Sequence, residues 1–172
     1  MARPPLTLKA KALGLVAQRE HSRVEMRRKL MTHVQMLRRA GAASGLEGVA
    51  PAVVAVPEEA EVDALLDWLE SKDLLSVQRF VETRVRSRAQ RFGNLRIRQE
   101  LSQHGVEIDP QTNDELKQSE LARARAAWAK RFGEVATDAA ERARQARFLA
   151  ARGFSTDTIR RTIAGGADLP DE

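Results

Sequence analysis

The chain has 172 residues, of which 31% are charged and 42% hydrophobic, and a formal net charge of +5 at pH 7. It contains no cysteine, which excludes disulfides, thiolate zinc sites and cysteine nucleophiles. An aromatic content of 4% and abundant Ala and Arg leave little material for a β core and favour helix, in one domain or a short array of small units.

Positive and negative charges alternate in blocks along the chain. Residues 1–40 hold ten Lys or Arg and two Glu, a net charge of +8, and residues 41–75 have a net charge of −7. Residues 76–106 have a net charge of +5, and residues 107–172 one of −1. Two basic blocks around an acidic one predict a basic side that binds a polyanion or an acidic protein. The alternative is a set of solvated helix faces.

The sequence of the N-terminal residues predicts a loose leader (1–7) followed by two helices. The first helix runs from about Leu8 to Arg19. The second follows a capping box, in which the Ser22 hydroxyl accepts from the Glu25 amide and the Glu25 carboxylate reaches back to the Ser22 amide. Its apolar residues have helical spacing: Met26, Leu30, Val34 and Leu37.

Residues 40–57 break this pattern with Gly, Ala, Ser and Pro and are predicted to be a loop insertion. A short strand over residues 52–56 is the alternative. A third helix is expected over about 58–72, with Trp68 in a packing role beside its apolar stripe. The most apolar run, 49–56, is too short for a bilayer, which takes about 20 residues, and we expect a cytoplasmic protein with no signal peptide.

The stretch Ser76–Val106 predicts two basic helices, about 77–90 and 94–104, joined at Phe92-Gly93 as in a helix-turn-helix. Gly105 suits a left-handed C-cap. The side chains expected in its core are Phe80, Val81, Val85, Ala89, Leu95, Ile97 and Leu101.

Three more helices are predicted after Asp109-Pro110. Asn113 is expected to cap a helix that ends near Arg131, and Thr137 a helix that ends near Ala151. After the joint at 152–155, a last short helix covers 156–164.

A short pattern recurs in SRVEMRRKL (22–30), GNLRIRQEL (93–101) and STDTIRRTI (155–163). Each window opens with Ser or Gly and has an apolar pair four residues apart, which places the pair on one helical face. The repetition predicts an all-α fold of three tandem three-helix, helix-turn-helix-like repeats. The predicted bounds are 8–73 for repeat 1, 74–132 for repeat 2 and 133–165 for repeat 3, which lacks its third helix, followed by a tail (166–172).

Catalytic motifs are absent from the sequence. It has no P-loop or GxGxxG, and none of the three histidines, His21, His33 and His104, has a second histidine three or four residues away. His21 matches Phe92 and Phe154 in the repeat, which favours packing. We therefore predict no enzyme, no metal and no cofactor.

The combination of segments resembles the RecX family, the modulators of the RecA recombinase. The segments are ALGLVAQREHSRVEMRRKL (12–30), LLDWLESKDLLSVQRFVETRVRSRAQRFGNLRIRQELSQHGV (65–106) and ARQARFLAARGFSTDTIRRTI (143–163). The resemblance implies an elongated, curved array of three repeats that binds RecA and the RecA–DNA filament, and also single- and double-stranded DNA. It implies inhibition of filament growth, ATPase, strand exchange and coprotease activity, and hence a role in recombination and the SOS response. The chain departs from the family at Ser76-Val77-Gln78, where acidic residues are common, and in the length of the loop at 40–57.

Arginine forks and lysines on a basic surface are the residues we expect to contact DNA phosphates or an acidic RecA surface. They are Arg27, Arg28, Lys29, Arg84, Arg88, Arg91, Arg96, Arg98 and Arg160. We expect a monomer without a membrane partner.

Two other functions fit the residues. In a helix-turn-helix transcriptional regulator, residues 94–104 would lie in a major groove and Arg96, Arg98, Gln99 and Gln103 would read bases. A helical scaffold that binds no nucleic acid would show behaviour independent of salt.

Overall fold

The computed structural model describes residues 6–43, 57–134 and 136–164, and within these ranges all regular structure is helical. The predicted all-α class is confirmed. None of the described helices is both long and apolar enough to cross a bilayer. The helices are α1 (Leu8–Val16), α2 (Arg23–Ala43), α3 (Glu59–Ser71), α4 (Val77–Ala89), α5 (Asn94–Gln103), α6 (Pro110–Arg131), α7 (Ala139–Ala151) and α8 (Thr156–Ala164).

The chain divides into two compact units, Met1–Phe80 and Val81–Glu172, with the boundary inside α4. In the first unit, α2 packs against α1 and α3. Met26, Leu30 and Val34 recur every four residues on α2, and all three are fully buried. They form one core with α1 and α3 residues that include Ala12, Leu66 and Leu69.

In the second unit, α6 packs against α5, α7 and α8. Trp128 on α6 lies in a core with Ala124, Leu149 and Phe154. Its indole Nε1 donates to Gln145 Oε1 at 2.8 Å, so the one polar atom of this buried ring has a partner.

Two sequence-predicted caps are present. The Ser22 hydroxyl accepts from the Glu25 amide at 3.1 Å. Gly105 has φ 68°, and Val106 N donates to Leu101 O at 3.1 Å, which is the predicted left-handed helix end.

The starts of α6 and α7 differ from the prediction. Asp109 caps α6, with its Oδ1 accepting from Thr112 N at 2.9 Å, so Asn113 lies inside the helix. Asp138, not Thr137, caps α7. In both cases an aspartate adjacent to the first helical residue satisfies the free backbone amides of the first turn.

Three further expectations are corrected. Leu95, predicted in the core, is 56% exposed, because it lies on the outer face of α5. In α8 the fully covered pair is Thr158 and Thr162, one position before the predicted apolar pair. Helix α2 continues to Ala43, beyond the predicted start of the loop, while the rest of that loop up to residue 56 and the alternative strand lie outside the described residues.

Candidate polyanion-binding surface

The basic residues on α2 face the carboxylates of α3. Arg27 Nε lies 2.8 Å from Asp63 Oδ1, and its Nη2 lies 3.2 Å from Glu59 Oε2. Arg23 pairs in the same way with Asp67 and Glu70, each at 2.7 Å. The acidic block of the sequence therefore neutralises part of the first basic block. Arg27, one of the residues predicted to bind DNA or RecA, therefore links α2 to α3 within the first unit.

Lys29 belongs to a buried polar group around Glu25. Its Nζ lies 3.3 Å from Glu25 Oε1 and 3.0 Å from His21 Nε2, and Arg19 also pairs with Glu25. Burial alone would raise the pKa of Glu25, but the hydrogen bonds from Arg19 and Lys29 outweigh it and lower the pKa to about 2. Burial lowers the pKa of His21, whose Nδ1 lies 2.8 Å from Arg19 O. His21 is 1% exposed, in agreement with the packing role predicted for it.

Two of the predicted arginines on α4 share one carboxylate on α5. Arg84 Nη1 lies 3.1 Å from Glu100 Oε1, and Arg88 Nη2 lies 2.8 Å from the same oxygen. Glu100 therefore offsets part of their charge and ties α4 to α5.

Three more of the predicted residues, Arg28, Arg98 and Arg160, lie on exposed faces. Arg98 on α5 donates to Asn113 Oδ1 on α6 at 2.5 Å. Arg160 on α8 pairs with Asp157 at 2.7 Å, and Arg28 is exposed on α2.

The joint between α4 and α5 (residues 90–93) touches the joint between α7 and α8 (residues 152–155) within the second unit. We call these joints the α4–α5 corner and the α7–α8 corner. Gly93 N donates to Arg152 O at 2.9 Å, and Leu95 N donates to Gly153 O at 3.0 Å. A Cβ atom on Gly93 would lie 2.2 Å from Gly153 O, so only glycine fits at this contact. The close approach brings Arg96 of α5 next to the end of α7, where its Nη1 donates to Ala151 O at 3.2 Å.

Glu120 on α6 holds the starts of α5 and α8. Its Oε1 accepts from Asn94 N at the start of α5 at 2.9 Å. Its Oε2 accepts from the hydroxyls of Ser155 and Thr158 at the start of α8, at 2.7 and 2.9 Å. A carboxylate near two helix N-termini is favoured by both helix dipoles. This buried acid explains why Thr158 is covered in place of an apolar residue.

Arg123, one turn later on α6, closes the end of α4. Its Nη1 donates to Phe92 O at 2.7 Å and to Ala89 O at 3.2 Å, and its Nη2 donates to Asn94 Oδ1. Burial lowers the pKa of Arg123, and the neighbouring Glu120 charge opposes that effect. The buried Glu120 and the half-buried Arg123 side chains therefore fix the two corners from one helix.

Four arginines gather around these corners, and we call them the arginine cluster: Arg91, Arg96, Arg131 and Arg152. Burial lowers the pKa of Arg152, and the positive charges of the other three lower it further. Among the residues that the structure describes, none of the four pairs with a carboxylate. The cluster is therefore a local excess of positive charge.

Aromatic rings orient two of these guanidinium groups closely. The Arg96 guanidinium lies 4.5 Å from the centre of the Phe92 ring, and that of Arg152 lies 3.7 Å from the centre of the Phe148 ring. At such distances the ring quadrupole attracts the cation.

Arg91 and Arg96 are among the sequence-predicted residues, whereas Arg131 and Arg152 are not. A signal for them is present in the sequence. The triplet Arg91-Phe92-Gly93 is repeated as Arg131-Phe132-Gly133 at the end of α6, and Arg152-Gly153-Phe154 ends α7. Each triplet terminates a helix, so an arginine and an aromatic ring recur at three helix ends. Among the described residues no group of His, Asp and Glu could hold a metal ion.

Comparison with known proteins gives a consistent result. Residues 78–109 match the family description "RecX, second three-helix domain", and residues 118–163 match "RecX, third three-helix domain". The chain is 43% identical to the regulatory protein RecX of Ralstonia pickettii over 174 aligned residues, covering 100% of this chain and 96% of that protein. It is 44% identical to the regulatory protein RecX of Leptothrix cholodnii, covering 94% of this chain and 90% of the relative.

A solved structure has the same fold. The crystal structure of RecX from Lactobacillus salivarius superposes with a TM-score of 0.65 at 17% sequence identity, covering 94% of this chain and 96% of that one. The identity over the full length of the curated relatives goes beyond a shared fold. The chain belongs to the RecX family of regulatory proteins.

Proposed function

We propose that this protein binds RecA and the RecA–DNA filament and inhibits filament growth, ATPase, strand exchange and coprotease activity. It thereby limits recombination and the SOS response. The observation that carries the proposal is the 43% identity to a regulatory protein RecX over the whole chain. We assign it no catalytic role, and we place it in the cytoplasm as a monomer, where RecA and DNA are its partners.

The charge pattern supports this proposal. A filament of protein on DNA offers phosphates and acidic side chains along its length, and arginine forks bind both anions with paired hydrogen bonds. The proposed contacts are the nine predicted basic residues. Five of them, Arg27, Lys29, Arg84, Arg88 and Arg160, already pair with a carboxylate of the chain. Arg28, Arg91, Arg96 and Arg98 do not pair with a carboxylate of the described residues, so we expect these four to contribute most among the nine.

The experiment is the single-stranded-DNA-dependent ATPase of RecA, titrated with this protein from far below to above equimolar amounts. We expect ATP hydrolysis to fall, and inhibition far below equimolar would indicate action at filament ends. The double variant Arg96→Glu/Arg98→Glu should abolish inhibition while its circular dichroism spectrum stays unchanged. Undiminished ATP hydrolysis with wild-type protein in excess would refute the proposed function.

The helix-turn-helix regulator is less well supported. Recognition helices read bases with their N-terminal residues. Here the start of α5 is covered: Asn94 is buried, and Leu95 N and Arg96 Nη1 donate to backbone oxygens of the α7–α8 corner. Binding of a palindromic duplex without any effect on RecA would favour that alternative.

A further inference from the structure

We propose that the arginine cluster is a binding site for the backbone phosphates and stacked bases of single-stranded nucleic acid. The site includes Arg131 and Arg152, which were not among the basic residues predicted from the sequence. This inference deepens the proposed function and rests on it in one respect only, namely that nucleic acid is a partner.

The first support is geometric. The two glycines at the touching corners leave no room for side chains, so the backbones of α5 and α7 approach closely enough to bring Arg96 beside Arg152. Phe92 and Phe148 hold these guanidiniums in place. A preformed arrangement of donors loses less side-chain entropy on binding than separate flexible arginines.

The second support is the distribution of free charge. Arginines elsewhere, such as Arg23, Arg27 and Arg79, pair with carboxylates in their own unit. The cluster keeps four positive charges together without such a partner among the described residues. Mutual repulsion makes this arrangement unfavourable in the free protein, and an anion that binds there relieves it.

The third support decides between nucleic acid and an acidic protein segment. Arg96 and Arg152 lie over the Phe92 and Phe148 rings, and unpaired bases stack on the face of a guanidinium or an aromatic ring. Carboxylates use only the N–H edges of the fork. Bases in a duplex are stacked on each other and cannot reach this face, so the arrangement favours a single strand.

The test measures binding of the full-length protein to a fluorescent oligo-dT at several salt concentrations, without RecA. The variant is Arg131→Gln/Arg152→Gln. The matched control is Arg125→Gln/Arg147→Gln, which removes the same charge from exposed positions of the same two helices. Thermal melting by circular dichroism checks that both variants fold.

We expect the cluster variant to lose about tenfold in affinity and its salt slope to fall by about 1.4, because each phosphate contact to a single strand contributes about 0.7. The control should lose no more than about twofold. The wild-type protein should also bind oligo-dT more tightly than an abasic strand of equal length, and the cluster variant should lose that preference.

Equal losses for the two variants would overturn the proposal, as would equal wild-type affinity for oligo-dT and the abasic strand. Unchanged DNA affinity combined with lost binding to DNA-free RecA would also overturn it and assign the cluster to a protein contact. The RecA ATPase assay with wild-type protein decides the proposed function separately, so the two failures are distinguishable.

Discussion

At the scale of single residues, polar groups with several partners distinguish this chain from a simple apolar repeat. Glu25 and Glu120 occupy buried positions and accept from several donors: Glu25 from the nearby Arg19 and Lys29, and Glu120 from groups at the starts of α5 and α8. The hydrogen bond from the Glu25 amide to the Ser22 hydroxyl was readable from their spacing. The roles of Glu120 and Arg123 were not, because their partners are 26 to 38 and 29 to 34 residues away in sequence, apart from the local contacts of Arg123 with Leu116 and Ser119.

Glu25 makes the stability of the first unit depend on pH. Its pKa is about 2 in the folded protein, against 4.5 ordinarily, so the ionised form is favoured by folding. The stabilisation is fully present above the unfolded pKa and is lost as the pH falls from about 5 through 2, with a maximum of about 3 kcal/mol. We expect Glu25→Gln to be less stable than wild type at pH 7, and this difference to vanish towards pH 2.

Urea unfolding followed by circular dichroism at intervals between pH 7 and pH 2 measures this difference. Glu61→Gln, an exposed position on α3, is the control and should show no such convergence. A difference between Glu25→Gln and wild type that stays constant over the whole pH range would contradict the role of the Glu25 charge.

At the scale of helices, the sequence predicted all eight helices of the described residues, because their apolar residues recur at three- and four-residue spacing. Caps were less predictable, because Asp109 and Asn113 both suit that role. The rule that decides between them is local: Pro110 follows Asp109, and proline favours the first helical position. The register of α8 was not readable at all, because the buried Thr158 depends on an acid from α6.

The close contact between the two corners predicts that a single methyl group added at Gly93 lowers the stability of the fold strongly. Gly93 has φ −79°, which alanine adopts freely, so steric overlap with Gly153 O and Phe154 is the only obstacle to a Cβ. We expect Gly93→Ala to lower the free energy of unfolding by about 3 kcal/mol through overpacking against backbone. Gly14→Ala, in α1 with nothing within 4 Å, should instead stabilise by about 0.5–1 kcal/mol.

Both values come from urea titrations of the two variants beside wild type. Equal and small changes for Gly93→Ala and Gly14→Ala would show that the two corners do not meet as closely as the structure has them.

At the scale of the whole molecule, the blocks of charge in the sequence correctly indicated where arginines concentrate, but not which of them are available. Whether an arginine is available to bind an anion depends on its partners in the folded protein. Carboxylates of α3 pair with Arg23 and Arg27, and Glu100 pairs with Arg84 and Arg88. Among the described residues, Arg96 contacts the Ala151 carbonyl and the Phe92 ring but no carboxylate. The candidate site is therefore only partly predictable, since two of its four members came from the predicted set. Arg131 and Arg152 could have been predicted only by treating the repeated triplets at helix ends as binding residues and not only as connections between helices.

The carboxylates of α3 should suppress nucleic-acid binding by the first unit. Asp63 and Asp67 hold the forks of Arg27 and Arg23 at 2.8 and 2.7 Å, and a phosphate must displace them to bind there. Replacing both acids in Asp63→Asn/Asp67→Asn removes one of the two carboxylates from each guanidinium, leaving Glu59 and Glu70, and removes no cation. We expect oligo-dT affinity at low salt to rise about threefold, with a salt slope larger by about 1.

The partner variant Arg23→Gln/Arg27→Gln should change affinity by less than about twofold, since these cations are already neutralised in the folded chain. Anisotropy titrations of both variants and wild type at three salt concentrations measure the two effects. A large loss of affinity in Arg23→Gln/Arg27→Gln would mean that DNA already displaces the carboxylates. The first basic block would then bind alongside the arginine cluster, and the ion pairs between α2 and α3 would act only in the unbound protein.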